Sequence, residues 1–324
     1  MKKIIIILWL SSIAVLVFAS WRGSFDDSFF AQVETVDAAA TGGDITTNGS
    51  KLVHTFTNLY SSNFVISGGS LSCEILIVAG GGAGGCHVGG GGGAGGVILI
   101  TNMLPADTYT VVIGAGGVRL GDSYSSSSTS GSNTVFGTNI AYGGGFGGNH
   151  WAVPAHMDGE DGGSGGGGGG RGDDGSTLGG TNITGQGFQG GSGICEGGVS
   201  KRGAGGGGGV TMIGGVGNVT EVKARGGNGG EGITSDISSS SHVYGSGGGG
   251  FSWGDAGYES DSSYGVGGTG AGNGGAVTNY NIFAWSPTSA TYYGCGGGGG
   301  YGALVTSLRA GDGYQGIVII SYEQ

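Results

Sequence analysis

Two histidines, His150 and His156, fall in one short stretch with Asp158, Glu160 and Asp161. Imidazole nitrogens and carboxylate oxygens held that closely could ligate a divalent ion. Asp158-Gly159-Glu160-Asp161 and Asp173-Asp174 offer the hard oxygens that suit Ca2+. Their spacing matches neither an EF-hand loop nor a calcium-binding nonapeptide repeat. A solvated acidic loop explains the same residues, so no resident cofactor is expected; Ca2+ is the one ion these oxygens would suit. Arg171-Gly172-Asp173 spells an integrin-type tripeptide, which arises easily by chance in a glycine-rich chain.

Catalytic constellations are weaker still. GxGxxG patterns recur because glycine is everywhere, yet dinucleotide binding needs a βαβ unit and an acidic residue about 20 positions on. A GxxxxGK[ST] phosphate loop is absent from the sequence. A serine nucleophile would need a strand-to-helix elbow with histidine and acid partners, and the serines here fill polar loops. The chain is therefore read as a non-enzyme.

Aromatic residues carry more weight. Trp151, Phe251, Trp253, Tyr258, Tyr264, Tyr280, Phe283, Trp285, Tyr292 and Tyr293 lie between glycine tracts, beside small polar residues. Rigid aromatics in such company build protein- and sugar-binding surfaces. The same residues could instead cap the ends of a glycine slab as core. Trp151, Trp253, Tyr264 and Trp285, in the segments 149–161, 251–264 and 276–293, are the candidate binding residues, with a cell-surface protein or glycan receptor as partner.

What could hold these loops in place? Of 324 residues 87 are Gly and only 3 are Pro, which excludes a collagen helix. Charged residues make up 10% and the net charge is -11, against nucleic acid or an anionic membrane as partner. Leu52-Val53-His54-Thr55-Phe56, Phe64-Val65-Ile66, Cys73 to Val78, Val97 to Ile100 and Tyr109 to Ile113 read as strands, the last two separated by a turn at Pro105-Ala106-Asp107. Ile317 to Tyr322 reads as a buried strand that pairs with the early ones and closes the domain. Glycine tracts fill the interval, at 80–85, 89–96, 114–117, 143–148, 162–170, 203–209, 226–230, 245–250, 265–275 and 294–302. Side by side, extended three-residue-per-turn glycine helices can exchange backbone hydrogen bonds in several directions. Flexible linkers are the alternative, but strand-forming ends joined by so long a structureless loop would be anomalous. The fold class expected is mainly β and irregular: a small β framework closed by N- and C-terminal strands around packed polyglycine-II helices with end loops.

Lys2 and Lys3 precede an apolar run from Ile4 to Phe18 that ends in Val17-Phe18-Ala19, the layout of a signal peptide. Domain organisation is expected as 1–19 signal peptide or membrane anchor, 20–50 spacer and 51–324 glycine-rich domain. Either form of the first segment places the rest at the cell surface or outside the cell; membrane contact follows only if the segment is retained. Cys73, Cys86, Cys195 and Cys295 form no CxxC pair, so a zinc site is not expected. In an exported chain they are candidate disulfide cysteines, with connectivity open and buried free thiols as the alternative. Oligomers are compatible with the sequence, and a passive self-assembling coat or matrix protein is the alternative to an adhesin-like binding function.

The run Ile75-Leu76-Ile77-Val78-Ala79-Gly80-Gly81-Gly82-Ala83-Gly84-Gly85 is followed by Gly92-Gly93-Ala94-Gly95-Gly96-Val97. Next come Tyr109 to Gly117, Ser132-Asn133-Thr134-Val135-Phe136-Gly137 and Gly311-Asp312-Gly313-Tyr314-Gln315-Gly316-Ile317-Val318-Ile319-Ile320-Ser321-Tyr322. This order resembles a glycine-rich domain family of phage tail-fibre tip adhesins and microbial surface proteins. It is also distantly similar to the glycine-rich region of anaplastic lymphoma kinase receptors. The resemblance implies a polyglycine-II lattice whose variable edge loops bind partners, and it carries over no individual site residue. An exported leader departs from a tail protein, which assembles in the host cytoplasm, and favours a cellular surface protein.

Overall fold

A computed structural model of the chain describes Ile4–Leu10, Ile13–Ala19 and residues 37–120, 128–149, 157–170, 175–196, 201–220, 223–254, 263–278, 282–301 and 309–324. Strands β1 (Ile4–Leu10) and β2 (Ile13–Ala19) pair antiparallel from Ile4↔Ala19 to Leu10↔Ile13. They lie in one compact unit, Met1–Asp37; Ala38–Gln324 is the second. Among the described residues no helix is long and apolar enough to cross a membrane.

The second unit is all-β. In chain order its strands are β3 (Ala39–Thr41), β4 (Asp44–Asn48), β5 (Lys51–Phe56), β6 (Ser62–Ser67), β7 (Leu71–Val78), β8 (Val97–Leu104), β9 (Thr108–Val112), β10 (Thr134–Phe136) and β11 (Asn139–Ala141). Then follow β12 (Gly175–Thr177), β13 (Gly193–Glu196), β14 (Lys201–Gly203), β15 (Asn218–Val219), β16 (Ala224–Arg225), β17 (Ile233–Ser235), β18 (His242–Tyr244), β19 (Ser252–Gly254), β20 (Ala276–Thr278), β21 (Ile282–Trp285) and β22 (Ile317–Glu323).

Two five-stranded sheets, β11-β10-β9-β6-β3 and β4-β5-β22-β7-β8, form the framework. They share one buried cluster: Phe64, Ile66, Val111 and Phe136 from the first, and Phe56, Cys73, Ile75, Ile77, Val318, Ile320 and Tyr322 from the second. The two sheets therefore pack as a sandwich. β22 lies between β5 and β7, with Ile320 paired to both His54 and Ile75, so the C-terminal strand closes the domain as expected. Ala39–Thr41 and Asp44–Asn48 are already sheet strands, which corrects the 20–50 spacer. Short polar strands such as Asp44-Ile45-Thr46-Thr47-Asn48 carry no apolar alternation and read as loop until a partner edge is known.

β7 and β22 are buried on both faces, the reason their sequences are continuous branched runs rather than alternations. Leu76, Val78, Ile317 and Ile319 point away from the sandwich and join Ile237 and Tyr244 in a second cluster, with Val210, Ile233, Tyr292 and Tyr293 packed against it. Side chains from the glycine-rich part thus glue it to the back of the central strands.

The glycine tracts hydrogen-bond to one another in a three-residue rotation. Along the first tract, the amides of Ala79, Gly82 and Gly85 donate to the carbonyls of Gly96, Gly93 and Gly90. Those of Gly80 and Ala83 donate to Ser132 and Thr129, and those of Gly81 and Gly84 to Tyr314 and Gly311. Successive residues turn to successive neighbours, and every third returns to the first, as an extended chain with three residues per turn requires. Residues 89–96 sit at the centre. Gly89, Gly92 and Gly95 donate to Gly300, Gly297 and Gly294; Gly90, Gly93 and Gly96 to Gly148, Gly145 and Tyr142; Gly91 and Ala94 to Gly205 and Gly208. Their carbonyls accept from Gly82, Gly167, Ser164 and Gly248. Six tracts surround this one: 79–85, 142–148, 163–170, 203–209, 245–250 and 294–300. Packing this close leaves no room for side chains: a Cβ on Gly91 would overlap the Gly248 carbonyl, and one on Gly82 the Gly145 carbonyl.

Candidate binding site

β12-β13-β14-β19-β20-β21 form a six-stranded sheet built from segments between tracts. It presents two aromatic groupings. Phe251, Val277 and Val88 are fully buried, with half-buried Trp253 and Tyr301 packed on them. Trp253 stacks on Tyr301 at 4.6 Å and 27°, and Tyr301 lies 6.0 Å from Phe251 and 5.1 Å from His87. β14 places Arg202 opposite Trp253, and both Lys201 and Arg202 are buried. Lys201 Nζ donates to the Thr220 carbonyl at 2.8 Å. Burial first, and the Arg202 charge second, push the His87 imidazole down to about 4, so it is neutral near pH 7.

His87 and Val88 themselves have φ of 52° and 51°, a left-handed conformation unfavourable for a β-branched residue. They turn the chain from tract 79–85 into tract 89–96. The lattice on one side and the Phe251–Tyr301 packing on the other hold the turn in place, and Cys86 N donates to Asn149 Oδ1 at 2.6 Å beside it. The strain sits at a buried turn, His87 and Val88 being 2% and 0% exposed, where the surrounding packing over-determines it.

The second grouping is more open. Trp285 on β21 packs against Tyr264 at 5.4 Å and 55°, and its side chain is 53% exposed. Ala276 of β20 pairs with Trp285, and β20 pairs in parallel with β19 through Trp253↔Val277. Three of the four nominated aromatics, Trp253, Tyr264 and Trp285, are thus gathered at one sheet. Trp151 lies outside the described residues, as do His150, His156 and Arg171 to Asp174. Tyr292 and Tyr293, expected among the loop aromatics, are core: they pack behind β7 and β22, and burial raises both phenols.

The acidic loop does something sequence reasoning missed. Asp158 Oδ1 accepts from the Leu178 amide at 2.7 Å, and Asp161 Oδ1 from the Thr181 amide at 2.6 Å. Carboxylates three residues apart thereby receive amides three residues apart, in step with the lattice rotation. Asn228 Oδ1 accepts from Val266 N, Asn273 Oδ1 from Gly267 N and Asp312 Oδ1 from Arg119 N. Short side-chain acceptors finish the lattice where neighbouring tracts run out. The available signal was Asp and Asn at three-residue steps beside a glycine tract. Among the described residues no group of three or more His, Cys, Asp or Glu side chains is placed to hold a metal.

All four cysteines are buried and none is joined in a disulfide, which corrects the disulfide expectation. Each has its own surroundings: Cys73 between the sandwich sheets, Cys86 beside Asn149, Cys195 in β13 and Cys295 under the Ser246 amide. Burial pushes the Cys73 and Cys295 thiols up to about 11, leaving them unreactive near neutral pH.

The sequence pattern of a family described as a glycine-rich domain matches residues 57–323. No curated protein matches the chain.

Proposed function

Because the chain belongs to this glycine-rich domain family, we propose that it is a surface-displayed binding protein of adhesin type and not an enzyme, using aromatic end loops on a glycine lattice to engage a cell-surface protein or glycan. The open Trp285–Tyr264 pair carries the reading. Inside the lattice the backbone donors and acceptors bond to neighbouring tracts, and no side chain emerges for recognition. Recognition therefore falls to the joining segments, which a rigid scaffold presents with little ordering cost. Within this reading the tracts are polyglycine-II helices, on the three-residue rotation of their hydrogen bonds. The kinship inferred from the sequence is with tail-fibre tip adhesins and microbial surface proteins, and more distantly with the glycine-rich region of anaplastic lymphoma kinase receptors. Export is part of the proposal: Lys2, Lys3 and the apolar run to Ala19 act as a leader, and N-terminal sequencing of the mature protein should begin near Ser20.

Glycan arrays and whole-cell binding with the purified protein test the function. Saturable binding is expected, and Trp285→Ala should weaken it by roughly tenfold or more, the scale of a dominant interface aromatic. Trp253→Ala should act similarly if the stack on Tyr301 belongs to the same surface. Absence of saturable binding, or binding unchanged in both variants with circular dichroism intact, rules the proposal out.

A further inference from the structure

One side of the lattice ends in a row of tracts that follow one another in sequence and in space. Gly190 N donates to the Gly180 carbonyl, Gly214 and Gly217 donate to Gln189 and Ser192, Gly215 donates to Asn228, and Gly226 and Gly229 donate to Ser263 and Val266. The row thus runs 178–183, 187–192, 212–217, 226–230 and 263–268. In tract 212–217 two of the three hydrogen-bond directions are filled, by 187–192 and by 226–230. The third belongs to Ile213 and Val216, whose amides make no hydrogen bond within the chain among the described residues. In the central tract that third direction meets another tract; here, among the described residues, it meets none. Large apolar side chains stand along the same row. Leu178, Phe188, Met212, Ile213, Val216 and Val266 are 42–65% exposed, and exposed apolar side chains gathered along one edge, unlike single scattered ones, mark interaction surfaces.

We propose that this row is the contact surface for a second copy of the chain, forming a closed two-fold dimer. Charge selects the occupant. The chain carries a net -11, so most surfaces of two copies repel each other. The middle of the row, tracts 187–192 and 212–217, contains no Asp, Glu, Lys or Arg; among the described residues exposed charges stand toward its ends, Asp158 and Asp161 beside 178–183 and Arg225 and Glu231 beside 226–230. A two-fold axis along tract 212–217 joins the neutral middles of two copies and sets the Asp158–Asp161 end of each against the Arg225 end of the other, so like ends are kept apart. Geometry sets the stoichiometry. The side chains of Ile213 and Val216 stand where a glycine would be needed for the lattice to continue sideways, so pairing proceeds by side-chain packing. A patch that meets itself across a two-fold axis is used up at two copies. Tract 263–268, at the outer end of the row, also carries Tyr264, so the dimer sets the two Trp285–Tyr264 pairs at the margins of its contact, where both can meet a multivalent surface.

The test is sedimentation of the full chain over a micromolar concentration series, compared with the double variant Ile213→Asp/Val216→Asp. Both side chains are more than half exposed in the single chain, so the substitutions leave its fold intact. Wild type should rise to twice the monomer mass. The double variant should stay monomeric, its dissociation constant raised by more than about tenfold by carboxylates buried without partners. A second measurement covers a variant that misfolds: Ile213→Cys treated with a short bis-maleimide should give covalent dimers, while wild type, whose four cysteines are buried, should not. A wild-type chain that remains monomeric throughout, an assembly that survives the double substitution, or Ile213→Cys that yields no covalent dimer overturns the proposal.

Discussion

The sandwich and the glycine lattice solve the same problem with opposite materials. Between the sheets, Phe56, Phe64, Ile75 and Phe136 fill space with side chains, and backbone hydrogen bonds run only along strand pairs. Within the lattice, side chains are excluded apart from a few such as Ala83, Ala94 and Phe146, and the backbone bonds outward in three directions. A sandwich tolerates changes of shape at some cost, because neighbouring side chains can partly relax. Tracts in backbone contact have no flexible atoms to move aside. One region is therefore sensitive to what is removed, and the other to what is added.

The sharpest break of that comparison is an addition in the lattice. A Cβ at Gly298 would overlap the Asn273 carbonyl, so Gly298→Leu should abolish the cooperative thermal transition. Wild-type melting and unchanged amide-exchange protection in the tracts would show that they pack loosely. Next in size is a removal from the sandwich. Ile77→Ala, at a fully buried position of β7, should cost about 2–5 kcal/mol in denaturant unfolding while leaving a folded protein. If the alanine proves the more damaging of the two, the two regions do not differ as described.

Protonation sharpens the same contrast, because each region buries one histidine. His54 lies inside the sandwich, its Nδ1–H donating to the Gly42 carbonyl at 2.7 Å; burial lowers its pKa against that opposing bond. His87 at the lattice end is pushed down to about 4. A histidine with a folded value below its unfolded one binds its proton less readily when folded. Stability is therefore full above the unfolded value of about 6.5 and falls as pH drops below it, for His87 as far as about 4, at up to about 1.4 kcal/mol per unit. His87→Asn should flatten the part of this slope read by amide exchange in tracts 79–85 and 89–96, and His54→Gln the part read in β5 and β22. Parallel wild-type and variant profiles would show that these imidazoles do not set the acid limit. The smallest effect belongs to the lattice margin: Asp161→Ala removes the acceptor of an exposed amide and should cost about 1 kcal/mol, measured as a shift in melting temperature.

Side chains made the sandwich legible in the sequence, and their absence hid the lattice. Cys73 to Val78 and Ile317 to Tyr322 read as buried strands because branched residues occupy consecutive positions, and both are central. Ala39–Thr41 and Asp44–Asn48 carry no such pattern and were expected as spacer. The tracts could be named from glycine content, but a run of identical residues cannot specify which other run lies beside it; the pairing of Gly93 with Gly82 and Gly145 has no sequence signature. Among the site residues, Trp253, Tyr264 and Trp285 stood out because aromatics are scarce among so much glycine. Tyr292 and Tyr293 stood out equally and are core, since composition alone does not distinguish a tyrosine facing solvent from one facing β7. Asp158 and Asp161 suggested an ion because carboxylates are the usual ligands, whereas in the folded chain they complete backbone hydrogen bonds.

The central position of β22 has a consequence for how the protein is made. Its neighbours β5 and β7 leave the ribosome early, yet the strand that belongs between them is Ile317–Glu323, which emerges only after well over two hundred further residues. At about 5–20 residues per second that delay is tens of seconds. Throughout it, Ile75 to Val78 lacks the partner that covers one of its edges, and the nascent tracts have none of the neighbours contributed by residues 294–316. The central sheet can therefore be completed only after the whole glycine lattice has been synthesised.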